Sequence, residues 1–348
     1  MSNAVSLIAD TTIPEQLQMT QWAGLSEMLE VFNASSAGAI RLTSTPAMLA
    51  TKPGSHYETL RYKTISSLDN RADVATDGDI DTLKLETNSG ASVLQTRSLG
   101  PVEVSDDFSD RSLGSNATVA SNLGNQFAQA QLQALRNNVI AIAAAAGTTA
   151  YSAAHYTDNT PGSATGARVP FTAAIAEAMM QDMADARQNM KIWVMPSLIF
   201  SNLITANLAF TALDTVAGSI LNDGQRYQFM GLPILVVDAP VLIGSTPTSS
   251  YYTKYGVLLL GDNAVSADIV SEKPVETDRN IVANSPTTIV RGQYTVNYNS
   301  TGAKFRIAVG ATGINPTDAV LITAANWITD GDDHREFPLV YNLVNSIA

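Results

Sequence analysis

"SNATVASNLGNQFAQAQLQALRNNVIAIAAAAG", Ser115 to Gly147, is the stretch on which the reading of this chain turns. It is rich in Ala and Gln, has no proline, and stops at Gly147, a residue type suited to the position just past a helix end. Asn116 to Ala146 is 31 residues. A continuous helix of that length spans about 46 Å at about 1.5 Å per residue, whereas globular helices average about 11–12 residues. Val119, Leu123, Phe127, Ala130 and Ala134 form one apolar stripe; Ala128, Leu132, Leu135, Val139, Ile142 and Ala146 form another. Both step by three and four, as helical neighbours do. A helix with two apolar edges is a spine packed on more than one element. A break near Gly124 is the alternative.

Upstream lies a block that contrasts with this helix. "HYETLRYKTI" opens it as a strand and "ASVLQTRSLGPVEVS" closes it. Between them "SSLDNRADVATDGDIDTLKLETNSG" is polar and charged. It cannot bury enough apolar area to offset its chain entropy alone. Residues 55–106 therefore read as a long two-stranded loop that a neighbour must order, with residues 68–90 flexible in the free subunit. Before it, "EQLQMTQWAGLSEMLEVF" has helical spacing, with Leu17, Trp22, Leu25, Met28, Leu29 and Phe32 on its apolar side. "TKPGS", Thr51 to Ser55, breaks the chain after it. Residues 1–54 read as a mobile N-terminal arm.

Downstream, Pro170 can sit in the first turn of a helix carrying Ile175, Met179, Met183, Ala186 and Met190. "KIWVM" follows as a strand, and Ser197 reads as the N-cap of "SLIFSNLITANL". "RYQFMG", "PILVVD", "YGVLLLGD", "TTIVRGQYTVNYN" and "KFRIAVG" read as strands, "NPTDAVLITAANW" as a short helix and "EFPLVYNLV" as a closing strand. The class is α+β.

Composition excludes several functions. The 348 residues carry 32 acids against 20 bases, a net charge of −12, so the surface repels nucleic acid rather than reading its sequence. There is no cysteine, hence no disulfide, thiolate metal site or cysteine nucleophile. The N-terminus lacks the pattern of a signal peptide. The longest apolar run, "VIAIAAAA", is far short of the roughly 18 residues a membrane helix needs.

Chemistry-bearing motifs are scarce. No lysine follows a glycine, which removes the phosphate-binding Gly-Lys-Ser/Thr loop. "GSATG", Gly162 to Gly166, has alanine where a nucleophile elbow has serine. The three histidines, His56, His155 and His334, have no metal-binding spacing and read as polar loop residues. "DVATDGDIDTLK" matches a calcium loop at Asp73, Asp77 and Gly78, but has Ala75 third and Lys84 twelfth, where a bidentate Glu is required. "DGDDHRE", Asp330 to Glu336, reads as an exposed turn. Asp238 follows an apolar strand in "YQFMGLPILVVDAP", Tyr227 to Pro240, where catalytic acids stand in open α/β sheets. With no histidine or second acid placed to match, Asp238-Ala239-Pro240 reads as a strand end and turn. No catalytic, cofactor or metal residue is assigned.

The order of arm, two-stranded loop, spine helix and compact α/β unit resembles the major capsid proteins of tailed bacteriophages with the Hong Kong 97 fold. "YQFMGLPILVVDAP" is similar to the Gly-hydrophobic-Pro-strand-Asp segment of these shell proteins. "GATGINPTDAVLITAANW", Gly310 to Trp327, is similar to the C-terminal signature of one subfamily. The resemblance covers essentially the whole chain. It implies an N-terminal arm at 1–54 and an extended loop at 55–106 that overlaps a neighbouring subunit. It also implies a peripheral domain with the spine helix at 107–160 and 272–320, and an axial domain at 161–271 and 321–348. It implies pentamers and hexamers of the chain itself, closing an icosahedral shell around double-stranded DNA in the host bacterial cytoplasm. Implied partners are a portal, a decoration protein and a separate scaffolding protein, the last since only about 54 residues precede the loop. No cofactor, membrane or sequence-specific nucleic acid is implied. Some relatives join a loop lysine to an asparagine of a neighbour. Here Lys84 lies close to Asp81 and Glu86, which favour its charged, non-nucleophilic form, and Lys63 stands near the loop's base. A noncovalent shell is expected. A surface-layer protein shares the composition but needs an export signal; an α/β hydrolase needs a nucleophile elbow.

Overall fold

A computed structural model of the chain describes residues 3–44, 58–63, 88–105, 116–160, 168–206, 210–213, 225–244, 252–280, 287–306, 315–330 and 334–345. The expectations for His56, for Asp73 to Lys84 and for "GSATG" lie outside them.

Two long helices organise the molecule: α1 (Asn3–Ser35) and α2 (Asn116–Thr149). α2 is unbroken. It passes through Gly124 and two residues beyond Gly147, because both glycines are sites of close approach rather than stops. A Cβ on Gly124 would stand 2.8 Å from the carbonyl oxygen of Leu17 on α1. A Cβ on Gly147 would stand 2.6 Å from Leu339 Cδ2. The glycines thus let a helix and a strand seat directly on α2, which offsets the roughly 1 kcal/mol that Gly costs inside a helix.

Within the stretch read as a mobile arm, residues 15–44 are seated on the rest of the chain. Leu17, Leu25, Leu29 and Phe32 of α1 are buried, and Gln21 Nε2 donates to Gln131 Oε1 of α2 at 3.0 Å. Trp22, assigned to the apolar side, is instead half exposed. After α1 the chain enters β1 (Ile40–Ser44).

A seven-stranded sheet is built mainly from β2 (Glu58–Lys63), β3 (Asn88–Ser105), β10 (Val265–Asn280) and β11 (Thr287–Ser300). β10, β11 and β3 run antiparallel as one long ribbon, and β2 pairs β3 over Asn88 to Val93. β1 adds in parallel to the start of β10. β12 (Ala303–Phe305) and β13 (Trp327–Thr329) complete the sheet. One strand runs continuously from Val265, and Phe305 packs on Trp327 across the β12–β13 pair.

The second seven-stranded sheet has the order β4-β14-β9-β5-β8-β7-β6. Its strands are β4 (Tyr156–Asp158), β5 (Met190–Met195), β6 (Phe210–Leu213), β7 (Gln225–Phe229), β8 (Leu232–Val236), β9 (Lys254–Gly261) and β14 (Leu339–Asn345). Its centre is buried on both faces, so "IWVM" and "VLLL" show no polar alternation. Ile192, Val194, Leu258 and Leu260 join the core around α2. Trp193, Met195, Val257 and Leu259 face the opposite core, under α4 (Ala173–Gln181) and α5 (Ser197–Thr205). The C-terminal half of α2, Val139 to Ala146, is buried throughout because it lies in a core to which both sheets contribute.

Three local expectations are corrected. The helix expected through Met190 ends at Gln181, and a 3-10 turn, Ala184–Asn189, leads into β5. Met183 and Met190 still enter one core, so helical spacing was satisfied by two different elements. Pro170 lies ahead of its helix, bridging Asn345, while Thr172 is the N-cap and accepts from the Ile175 N–H at 3.4 Å. Ser197 is the first residue of α5 rather than its cap.

Candidate functional site

Asp238 is exposed, two residues beyond β8. Its Oδ1 accepts a hydrogen bond from the Ser197 backbone N–H at 2.8 Å. Pro196, the residue in cap position, has no side-chain donor or acceptor for the role. Asp238 thus caps α5 from across the sheet, and a carboxylate at a helix N-terminus is favoured by the helix dipole. Among the described residues no group of three His, Asp or Glu is placed to hold a metal ion. No helix among them is long and apolar enough to cross a membrane.

His155 is not a polar loop residue. It ends α3 (Ser152–His155), is fully buried, and its Nδ1 lies 2.7 Å from the Leu339 carbonyl, to which it donates in that tautomer. His334 and Phe337 meet its ring edge-on at centroid distances of 5.7 and 5.4 Å. Burial lowers its pKa, against the raising effect of the backbone carbonyls around it. "DGDDHRE" is correspondingly more than an exposed turn. Asp330 is buried, its N–H bonds Gly302 O at 2.8 Å, and Arg335 Nη1 reaches Asp185 at 3.0 Å.

Among the described residues, a dense polar arrangement centres on one not singled out from the sequence, Asp318. It opens α6 (Asp318–Leu321), the short helix of "NPTDAVLITAANW". Its Oδ1 accepts from Gln95 Nε2 at 2.8 Å, from Arg97 Nη1 at 2.5 Å and from Asn138 Nδ2 at 3.3 Å. Asn138 also donates to the Tyr298 hydroxyl at 3.1 Å, and Gln95 to the Pro316 carbonyl at 3.0 Å. One carboxylate therefore fastens β3, α2 and α6 together, with β11 one bond further on. Burial opposes the charge on Asp318, but hydrogen bonds from Gln95, Arg97 and Asn138 and the Arg97 charge hold its carboxyl below the usual range. Burial pushes the neighbouring Tyr294 phenol up to about 12. This is the arrangement of a fastening, with each polar group committed to a fixed partner. It fixes the base of the β2–β3 ribbon to the spine helix.

A spine helix shared by two sheets, with a strand ribbon extending from one of them, is what the chain builds. The chain belongs to the Gp13-like family, the major capsid protein 13-like proteins, whose model matches residues 11–338. It is a structural major capsid protein, a component of the virion capsid that self-assembles into a shell. Among solved structures it is similar to the capsid of Ralstonia phage GP4, with 10% identity, coverage of 90% of this chain and 89% of that one, and a TM-score of 0.52. The cyanophage Pam1 capsid also matches, at 13% identity over 88% and 90% of the two chains, with a TM-score of 0.47. No curated protein matches. The fold is the α+β, Hong Kong 97-like capsid fold.

Proposed function

We propose that the chain closes an icosahedral shell, as pentamers and hexamers, around the packaged double-stranded DNA of a tailed phage, and performs no chemistry itself. The observation that carries this is the family match over most of the chain. The Asp318 fastening supports it, because it ties the paired strands β2 and β3 to the spine helix and gives them a fixed base. The net charge of −12 keeps the shell from gripping the DNA it encloses. The proposed division is arm 1–54, extended loop 55–106, peripheral domain 107–160 and 272–320, and axial domain 161–271 and 321–348. Assembly in the host cytoplasm, with a scaffolding protein and a portal and with a decoration protein as a further partner, completes the reading.

The shell is noncovalent in this reading, with neither Lys63 nor Lys84 used as a crosslinking amine. Negative-stain microscopy of the expressed protein, alone and with its scaffold, tests the proposal. Closed shells support it; flat lattices or small discrete particles under both conditions contradict it. The same particles boiled in detergent with reductant should run as one band near 36.8 kDa.

A further inference from the structure

The outward face of α1 carries the most exposed large apolar side chains among the described residues. Glu15, Met19, Trp22, Ser26 and Glu30 follow at steps of four, three, four and four, and all are exposed. Met19 is 74% and Trp22 50% exposed, ahead of every other large apolar side chain described. Beside Trp22 a groove of about 460 Å³ opens between α1 and β1, floored by Leu25, Leu29 and Leu42. Its lining includes two carboxylates, Glu30 and Glu272, and no Lys, Arg or His. The chain from Met1 to Ile40 has four acids (Asp10, Glu15, Glu27 and Glu30) and no base; the first base, Arg41, is exposed on β1 and does not line the groove.

Two further observations narrow the occupant. Asn33 bonds both backbone groups of Leu42: its Nδ2 donates to the carbonyl at 2.7 Å and its Oδ1 accepts from the N–H at 2.8 Å. The side of β1 that faces the groove is therefore already satisfied at Leu42, which disfavours strand addition there and leaves the helix-in-groove mode. The groove runs from Trp22 to Asn33, about 16 Å or three helical turns. The groove lining carries two carboxylates and no base, so a partner surface bearing Lys or Arg is attracted to it. Exposed Trp anchors binding surfaces, and its ring face attracts cations.

We propose that this face of α1 and its groove dock a cationic amphipathic helix of a different protein. The apolar stripe of that helix covers Met19 and Trp22, and its Lys or Arg side chains reach Glu15, Glu30 and Glu272. The proposal goes beyond the shell reading and stands apart from it, since it concerns a partner other than the chain's own copies.

Trp193 and Trp327 are fully buried, so Trp22 alone reports on water at this surface. The full chain is titrated with a synthetic Leu/Lys amphipathic helix about 18 residues long, and with a Leu/Glu helix of the same pattern. The expected result is a saturable blue shift of Trp22 emission and loss of acrylamide quenching with the Leu/Lys helix only. The double variant Glu15→Gln, Glu30→Gln should weaken binding about fivefold or more, while Glu103→Gln, on the exposed side of β3, leaves it unchanged. Circular dichroism confirms that each variant keeps its helices. Equal binding of the Leu/Glu helix, or equal binding by the double variant, overturns the proposal. A Trp22 shift on concentrating the protein alone assigns the face to a second copy and overturns it as well.

Discussion

The side-chain amide of Asn315 makes two hydrogen bonds to a single residue, Thr96. Its Nδ2 donates to the Thr96 carbonyl at 2.7 Å and its Oδ1 accepts from the Thr96 N–H at 2.8 Å. Thr96 lies on β3 just past the last residue covered by β2. A strand edge there is a template for pairing with another chain, and Asn315 occupies it as one residue of an added strand would. Asn33 treats Leu42 of β1 in the same way. The β1 edge and the stretch of β3 beyond β2 thus each carry an asparagine plug, which disfavours strand addition at those two places.

Asn315→Leu should therefore cost little stability, about 1 kcal/mol for exposed hydrogen bonds. It should still make the unassembled subunit self-associate well below its unfolding temperature. Sedimentation velocity with infrared detection of intermolecular sheet checks this. A variant that stays as monomeric as the wild type would sink the plug account.

Asp318 ties stability to acid. Its folded pKa lies below the ordinary value of 3.8, so the unfolded chain takes up the proton first as pH falls. The stabilisation is present above that ordinary value and is lost as pH drops through the lower, folded one. Asp318→Ala should lower stability by about 1–2 kcal/mol near neutrality, through lost acceptors for Gln95, Arg97 and Asn138. The gap between wild type and variant should narrow below pH 3.8 in melting curves. A gap that stays constant would contradict the assignment.

His155 acts at higher pH with the same sign. Burial lowers its pKa from 6.5, so below that value the unfolded chain binds a proton that the folded one resists. Stability should fall as pH decreases from 6.5, and His155→Gln should flatten that slope. His334 lies near enough to shift the midpoint, so the comparison uses the slope of stability against pH.

At Gly124 the contact is backbone on backbone. An added methyl meets Leu17 O at 2.8 Å and Gln21 N at 3.2 Å, and α1 must move. Gly124→Ala should destabilise by about 1–3 kcal/mol despite the better helix propensity of Ala. It should also speed proteolysis within α1. At Gly147 the contacts are side-chain atoms, Leu339 Cδ2 at 2.6 Å and Tyr341 Cβ at 3.0 Å, with no backbone atom among them, so Gly147→Ala should cost less than Gly124→Ala. Equal melting temperatures for Gly124→Ala and the wild type would remove Gly124 as the crossing point.

Elements held by local pattern were legible in the sequence. The Ala/Gln run became α2, and the apolar runs around Trp193, Leu259 and Leu343 became central strands of the second sheet. What could not be read depends on residues brought together from distant places. Gln95, Asn138, Tyr298 and Asp318 share one network across more than 200 positions, and nothing near Asp318 marks it as a junction. Asp238 follows its strand as the sequence suggests, yet its bond to Ser197 crosses from one strand end to a helix start. His155 looked polar because its neighbours in sequence are; its surroundings are Leu339, His334 and Phe337 from the chain's end.

The central claim is that this chain is the building unit of a closed shell. The most direct measurement is the particle mass, by light scattering, of protein expressed alone and with its scaffold. The account predicts megadalton particles of narrow size range. A monodisperse 36.8 kDa monomer under every condition, scaffold included, would contradict it.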